Sequence, residues 1–119
     1  MPRPIYSVKA EFFKALGNPA RIRILELLRG GERSAGELVA DLELEQSNVS
    51  QQLSVLRSKG IIEGRRDGAT VYYHVKDPRV FQLLGAAKEI ITSTLTETHE
   101  LLSDLQNIEF VAPSKKARR

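Results

Sequence analysis

Between Gly60 and Lys76 the apolar residues change period, from threes and fours to twos. Ile61-Ile62-Glu63-Gly64-Arg65-Arg66 and Thr70-Val71-Tyr72-Tyr73-His74-Val75 are β-branched and aromatic runs, and Asp67-Gly68 between them is a turn signal. A β-hairpin is predicted, with Arg65, Arg66 and Thr70 at or near its tip. A hairpin alone is marginal in water, so this one has to lean on neighbouring elements through Ile61, Val71, Tyr73 and Val75. The other periodic segments read as helices. The fold class is therefore mainly α with one small β-hairpin.

Four helices are predicted ahead of the hairpin. Pro4 and Ser7 precede the first, which carries Val8, Phe12, Phe13 and Leu16 on its apolar side and ends at Gly17. Asn18-Pro19 restarts the chain as N-cap and first helical residue. The second helix, to about Arg29, is expected to bury Ile22, Leu25 and Leu28, with Ile24 a further candidate, before Gly30-Gly31 breaks it. Ser34 and Glu37 have the spacing of a capping box and open a short third helix with Leu38, Val39 and Leu42. Glu43-Leu44-Glu45 turns the corner, with Leu44 packing between helices. The fourth helix follows, capped by Gln46 or Ser47 and closed by Gly60. Two helices joined by a few residues, the second polar on its outer face, have helix–turn–helix geometry.

The fourth helix carries the chemistry. Val49, Leu53 and Leu56 fall on one side; Ser47, Gln51, Ser54 and Ser58 fall on the other, flanked by Asn48, Ser50 and Arg57. That outer face has no acid, whereas a solvent face is ordinarily richer in Glu–Lys pairs. Amides and hydroxyls followed by Arg57 and Lys59 suit base edges and phosphates. Gln46, Ser47, Asn48, Ser50 and Gln51 occupy the N-terminal turns that enter the groove in such folds. Gln51 and Asn48 have the carboxamides that read adenine bidentately. The competing reading is a solvated helix with no partner.

Asp77-Pro78 opens a long last helix, to about Gln106, with Val80, Leu84, Ala87, Ile91, Leu95, Thr98, Leu102 and Leu105 at spacings of three and four. Phe81, Leu83, Ile90 and Leu101 widen the stripe. Roughly 30 helical residues span about 45 Å, more than a domain of this size can cover. The expected cover is the same helix of a second copy together with the first helix, which predicts a symmetric homodimer. Val8, Phe12, Phe13, Leu84, Ala87, Ile91, Leu95, Thr98 and Leu102 are the expected dimerisation residues. One domain, 1–110, is predicted, followed by a basic tail, 111–119, containing Lys115, Lys116, Arg118 and Arg119.

Charge is segregated rather than large. The net charge is +3, with Arg3, Lys9, Lys14, Arg21, Arg23 and Arg29 early in the chain, and Arg57, Lys59, Arg65 and Arg66 in a second cluster. Glu32, Glu37, Asp41, Glu43 and Glu45 lie between them. This pattern fits a polyanion-binding face opposite a solvent face. Arg21 and Arg23 read as solvated helix charges, one of which reaches a phosphate in the functional alternative. Cysteine is absent, which removes disulfides, thiolate metal sites and thiol redox sensing. No apolar run approaches the length of a membrane span and no signal-peptide core is visible, so a cytoplasmic protein is expected. No phosphate loop, cysteine nucleophile or His-Glu-x-x-His motif is present; no catalytic residues, cofactor or enzyme activity are predicted.

Helix, helix, helix–turn–helix, hairpin and long helix make a winged helix-turn-helix with terminal dimerisation helices. Its motifs resemble the ArsR/SmtB family of bacterial and archaeal repressors. The resemblance rests on Ala15-Leu16-Gly17-Asn18-Pro19-Ala20-Arg21-Ile22-Arg23-Ile24-Leu25, Gly36-Glu37-Leu38, and Ser47-Asn48-Val49-Ser50-Gln51-Gln52-Leu53-Ser54-Val55-Leu56. Gly60-Ile61-Ile62, Arg65-Arg66-Asp67-Gly68 and Val71-Tyr72-Tyr73 complete it, so that it spans Phe12 to Val75 in register. It implies a homodimer that binds an inverted-repeat DNA operator and blocks transcription. Many members release DNA on binding a metal ion, but the Cys-x-Cys pair of one usual site falls here on Ser34 and Gly36. Of the other site, across the last helices, Asp77 remains and the rest fall near Arg79, Ile90 and Ser93. An Arg and an Ile are not zinc ligands, so no metal site of either kind is predicted.

Several readings stay open. Arg65 and Arg66 serve a phosphate or the minor groove, or are ordinary hairpin charges; Tyr72 touches DNA or covers the ribbon. His99 with Glu97 and Glu100 is a lone surface histidine or, paired in a dimer, a carboxylate–imidazole site. The leading function is a sequence-specific repressor. The alternatives are an architectural DNA coater, against which the small net charge argues, and a winged-helix protein-interaction module. The inducer is open among an organic ligand between the first and last helices, another kind of metal site, a partner protein, and phosphorylation of a Ser or Thr in the Thr92–Thr98 region.

Overall fold

The computed structural model describes residues 4–111, with side chains to Asn107. Eight elements follow in order: α1 (Ile5–Leu16), α2 (Pro19–Leu28), β1 (Arg33–Ser34), α3 (Ala35–Leu42), α4 (Gln46–Ser58), β2 (Ile62–Asp67), β3 (Thr70–Val75) and α5 (Arg79–Val111). The chain divides between Gln82 and Leu83 into two units. Lys115, Lys116, Arg118 and Arg119 of the expected tail, and Arg3, lie outside the described residues. Val111 belongs to α5 rather than to a tail.

The helix boundaries follow local chemistry. Asn18 Oδ1 accepts from the Arg21 amide at 3.1 Å, with Pro19 behind it as the first helical residue. Ser34 Oγ accepts from the Glu37 amide at 3.2 Å while Glu37 Oε1 accepts from the Ser34 amide at 2.9 Å, which is the complete capping box. The corner between α3 and α4 turns on Glu43, which adopts the left-handed conformation at φ 55° and donates its amide to the Val39 carbonyl.

In the first unit Leu16, Ile24, Leu25, Leu28, Leu38, Leu42, Val49, Leu53 and Leu56 form the core, joined by Ile61, Ile62 and Val80. Two expectations need correcting here. Ile24 is completely buried and Ile22 is exposed, because the buried arc of α2 is the one containing Ile24, Leu25 and Leu28, and Ile22 falls outside it. Helix α4 is capped by Glu45, without a side-chain hydrogen bond, rather than by Gln46 or Ser47.

The sheet has three strands, in the order β1-β3-β2. The hairpin was expected; β1 was not. Arg33 pairs with Tyr73 and Ser34 with Tyr72, so the residue that caps α3 is also in register in the sheet. In the hairpin Asp67 pairs with Thr70, which shifts the turn by one residue, to Gly68-Ala69. Gly68 takes φ 64°, the positive angle that a tight hairpin needs at its first central position. Gly64 is fixed by space: a Cβ there would lie 2.8 Å from Val71 Cγ1.

Candidate nucleic-acid interface

Burial of Val49, Leu53 and Leu56 fixes the rotation of α4, and with it which side chains face outward. Gln46, Ser47, Ser50, Gln51, Ser54 and Arg57 are exposed, and Asn48 is half-buried. Because Glu45 does not cap through its side chain, the first-turn amides of α4 point outward without a side-chain acceptor, and such amides favour anions. The helix itself carries no acid and has Arg57 in its last turn.

Arg21 is half-buried and is not a solvated charge, while Arg23 is exposed and donates one hydrogen bond. Arg21 Nε donates to the Ala15 carbonyl at 2.6 Å and Nη2 to the Lys14 carbonyl at 3.2 Å, closing the C-terminal end of α1. Its Nη1 donates to Gln52 Oε1 at 2.7 Å, and Gln52 Nε2 donates in turn to Asn48 Oδ1 at 3.0 Å. Arg23 Nη2 donates to the Leu42 carbonyl at 3.2 Å, at the end of α3. These two arginines join the helices of the motif to one another. Gln52 escaped the sequence reading because it lies beside the apolar stripe, off the outward face.

The hairpin arginines have different surroundings. Arg65 holds Glu32 with two nitrogens, Nε at 3.1 Å and Nη2 at 2.7 Å, and its guanidinium lies 5.4 Å from the centre of the Tyr72 ring. The hydrogen bonds from Arg65 hold the Glu32 carboxyl below its ordinary range, and Glu32 raises Arg65 in return. Arg66, on the next position and the opposite face, is exposed and has no ion-pair partner among the described residues. Thr70 is exposed at the tip, and Tyr72 is half-buried. Lys59 is paired with Glu11 at 3.0 Å. The wing and α4 thus keep Arg66 and Arg57 as cations without an ion pair among the described residues.

His74 shares the Tyr72 face, between two acids: Nε2 lies 3.0 Å from Glu63 Oε1 and Nδ1 lies 3.5 Å from Glu32 Oε2. His99, Glu97 and Glu100 are all exposed on α5. Among the described residues no group of three or more His, Asp or Glu is placed to hold a metal ion. Ser34 has its cap, and Asp77 accepts from the Arg79 amide at 3.0 Å and binds its guanidinium at 2.6 Å. The bonds from Arg79 pull the Asp77 carboxyl down to about 2.

Of the expected dimerisation residues, Val8, Phe13, Ala87, Ile91, Leu95, Thr98 and Leu102 are exposed, and Phe12 and Leu84 are half-buried. Thr94 and Thr98 turn their hydroxyls back onto the Ile90 and Thr94 carbonyls, each at 3.0 Å, so their outward surface is largely methyl. No helix among the described residues is long and apolar enough to cross a membrane.

Comparison with known proteins agrees with this geometry. Residues 18–63 match the family model described as bacterial regulatory protein, arsR family. An HTH-type transcriptional regulator of Mycobacterium tuberculosis, itself uncharacterized, is 48% identical over 87% of this chain and 91% of its own length. Its crystal structure superposes with a TM-score of 0.75 over 82% of this chain and 98% of that one. The crystal structure of NolR from Sinorhizobium fredii, 36% identical, gives 0.68 over 76% and 95%. A solution structure from Mycobacterium bovis, described as a homodimeric winged helix-turn-helix DNA-binding domain, is 29% identical and gives 0.71 over 78% and 86%. A probable mercury resistance operon repressor of Streptomyces lividans is 40% identical over 66% of this chain and 63% of its own length. The chain belongs to the ArsR family and is a winged helix-turn-helix, DNA-binding transcription regulator rather than an enzyme.

Proposed function

We propose that the chain is a homodimeric, cytoplasmic repressor that reads an inverted-repeat operator. One α4 helix enters the major groove of each half-site, and Arg66 at the tip of each wing meets the flanking backbone. The observation that carries this is the acid-free outer face of α4, whose Gln46, Ser47, Ser50, Gln51 and Ser54 all stand exposed over a fully buried apolar side. A solvated helix gains nothing from excluding acids, whereas a groove-reading helix must exclude them. The small net charge of +3 supports base readout over the architectural alternative, which would rest on charge alone.

Dimerisation is supported by the uncovered apolar residues of both terminal helices: Phe13 is 56% exposed, Ile90 66% and Leu95 64%. The α1 and α5 faces would each bury against a second copy, setting the half-sites about one helical turn apart. Its release signal is then something other than the family's usual metal sites, since Ser34 and Gly36 stand where one has cysteines. A small molecule or a protein is the proposed class of effector.

Footprinting on the DNA upstream of its own gene tests the proposal. A protected two-fold sequence, retained against excess random duplex at moderate salt, is the expected result; equal affinity for the random duplex would reject it.

A further inference from the structure

Arg21, Gln52 and Asn48 form a relay from the end of α1 to the reading helix, and the direction of its hydrogen bonds is set by chemistry. Arg21 uses Nε and Nη2 on the Ala15 and Lys14 carbonyls, which leaves Nη1 facing Gln52 at 2.7 Å. A guanidinium has donors only, so the end of the Gln52 carboxamide that meets it has to be the oxygen. The other end is then the NH2 group, which can only donate, and the atom it meets at 3.0 Å has to be Asn48 Oδ1. Turning over either amide would set donor against donor. Asn48 therefore directs its oxygen into the protein and keeps Nδ2, with two donors, as the end with no partner among the described residues.

We propose that Asn48 is a donor-only reader, selecting guanine and rejecting cytosine in the major groove, and that Gln52 is the positioning residue that imposes this choice without touching DNA. Guanine offers two acceptors there, O6 and N7, adenine offers N7 alone and thymine O4 alone, whereas the only polar group of cytosine is a donor. Reading adenine bidentately needs the amide oxygen and nitrogen side by side on the base edge, and here the oxygen is turned toward Gln52. The sequence alone leaves adenine as the target of both Asn48 and Gln51; the relay separates them, because the exposed Gln51 keeps both ends of its amide. The inference rests on the reading that α4 enters the groove.

The test is selection of bound duplexes from a randomised library by the full-length protein and by three variants. Asn48→Ala identifies the base pair that Asn48 contacts, as the position where preference is lost. In the parent protein that position selects guanine and excludes cytosine. Gln52→Glu keeps an acceptor for Arg21 but sets an acceptor before Asn48 as well, so the Asn48 amide turns over and offers its oxygen. Preference at that one position then shifts by about tenfold toward adenine or cytosine, whose exocyclic amines donate. Gln52→Ala releases the amide and broadens the position without changing the others. Cytosine, or adenine above guanine, at the Asn48 position in the parent, or an unchanged preference in both Gln52 variants, overturns the inference and leaves operator binding standing. Enrichment of no sequence by the parent overturns both.

Discussion

Helices α4 and α5 are both amphipathic, and they differ in what covers their apolar sides. Val49, Leu53 and Leu56 of α4 are sealed by α2, α3 and β2 of the same chain. Ile90, Ile91, Leu95, Leu101 and Leu102 of α5 remain exposed. The orientation of the reading helix is therefore stored in one copy. In the proposed dimer a second copy supplies that cover. Reading and pairing are separable properties, and substitutions should split them.

Removing core volume under α4 has the largest expected effect on stability. Leu56→Ala, at a site with no exposed surface, should cost about 2–5 kcal/mol, read as a lowered urea midpoint with DNA binding lost only as the protein unfolds. On α5, Leu95→Asp should leave the fold unchanged by circular dichroism and shift the protein to monomer in sedimentation. Operator affinity should fall on the order of a hundredfold, because two linked half-site contacts become independent. If Leu95→Asp unfolds the chain, or Leu56→Ala dissociates it without unfolding, the separation drawn between the helices is wrong.

Smaller effects sharpen the comparison within the wing. Arg66→Ala should weaken binding alike on all sequences and reduce the salt slope by about one unit. Arg65→Ala should change the slope less, since Arg65 is already held by Glu32. Equal slopes for the two variants would mean that Arg65 leaves Glu32 on binding DNA. The smallest effect belongs to the Asp77–Arg79 cap at the start of α5. Its carboxyl is depressed from an ordinary 3.8 to about 2, so its contribution is fully present above pH 3.8 and is lost as pH falls through 2. Asp77→Asn should flatten that acid limb of the stability profile and leave neutral pH unchanged.

Local chemistry made much of this fold legible. Asn18-Pro19, the Ser34–Glu37 box and the glycine of the hairpin tip each act within four residues, so their roles show in the sequence itself. Strand β1 was hidden because its two residues, Arg33 and Ser34, gain strand geometry only from Tyr73 and Tyr72, some 40 positions away. The inward use of Arg21 was hidden for the same reason, since its partner Gln52 is 31 residues distant. Of the candidate interface, the acid-free face of α4 could be read directly, because one helical period defines it. That Arg65 and Arg66 differ could not, because the acid that claims one of them comes from outside the hairpin.

Strand β1 also limits how the wing can move. Ser34 is at once a rung of the sheet and the cap of α3, so no slack chain separates the hairpin from the helix–turn–helix. If α4 and the wing both meet DNA as proposed, they would act as the jaws of a caliper with a set gap. A duplex whose local groove width suits that gap is gripped without distortion, and one that does not must be bent at an energetic cost. Base pairs lying between the two contacts, touched by neither, then influence affinity through their stiffness alone.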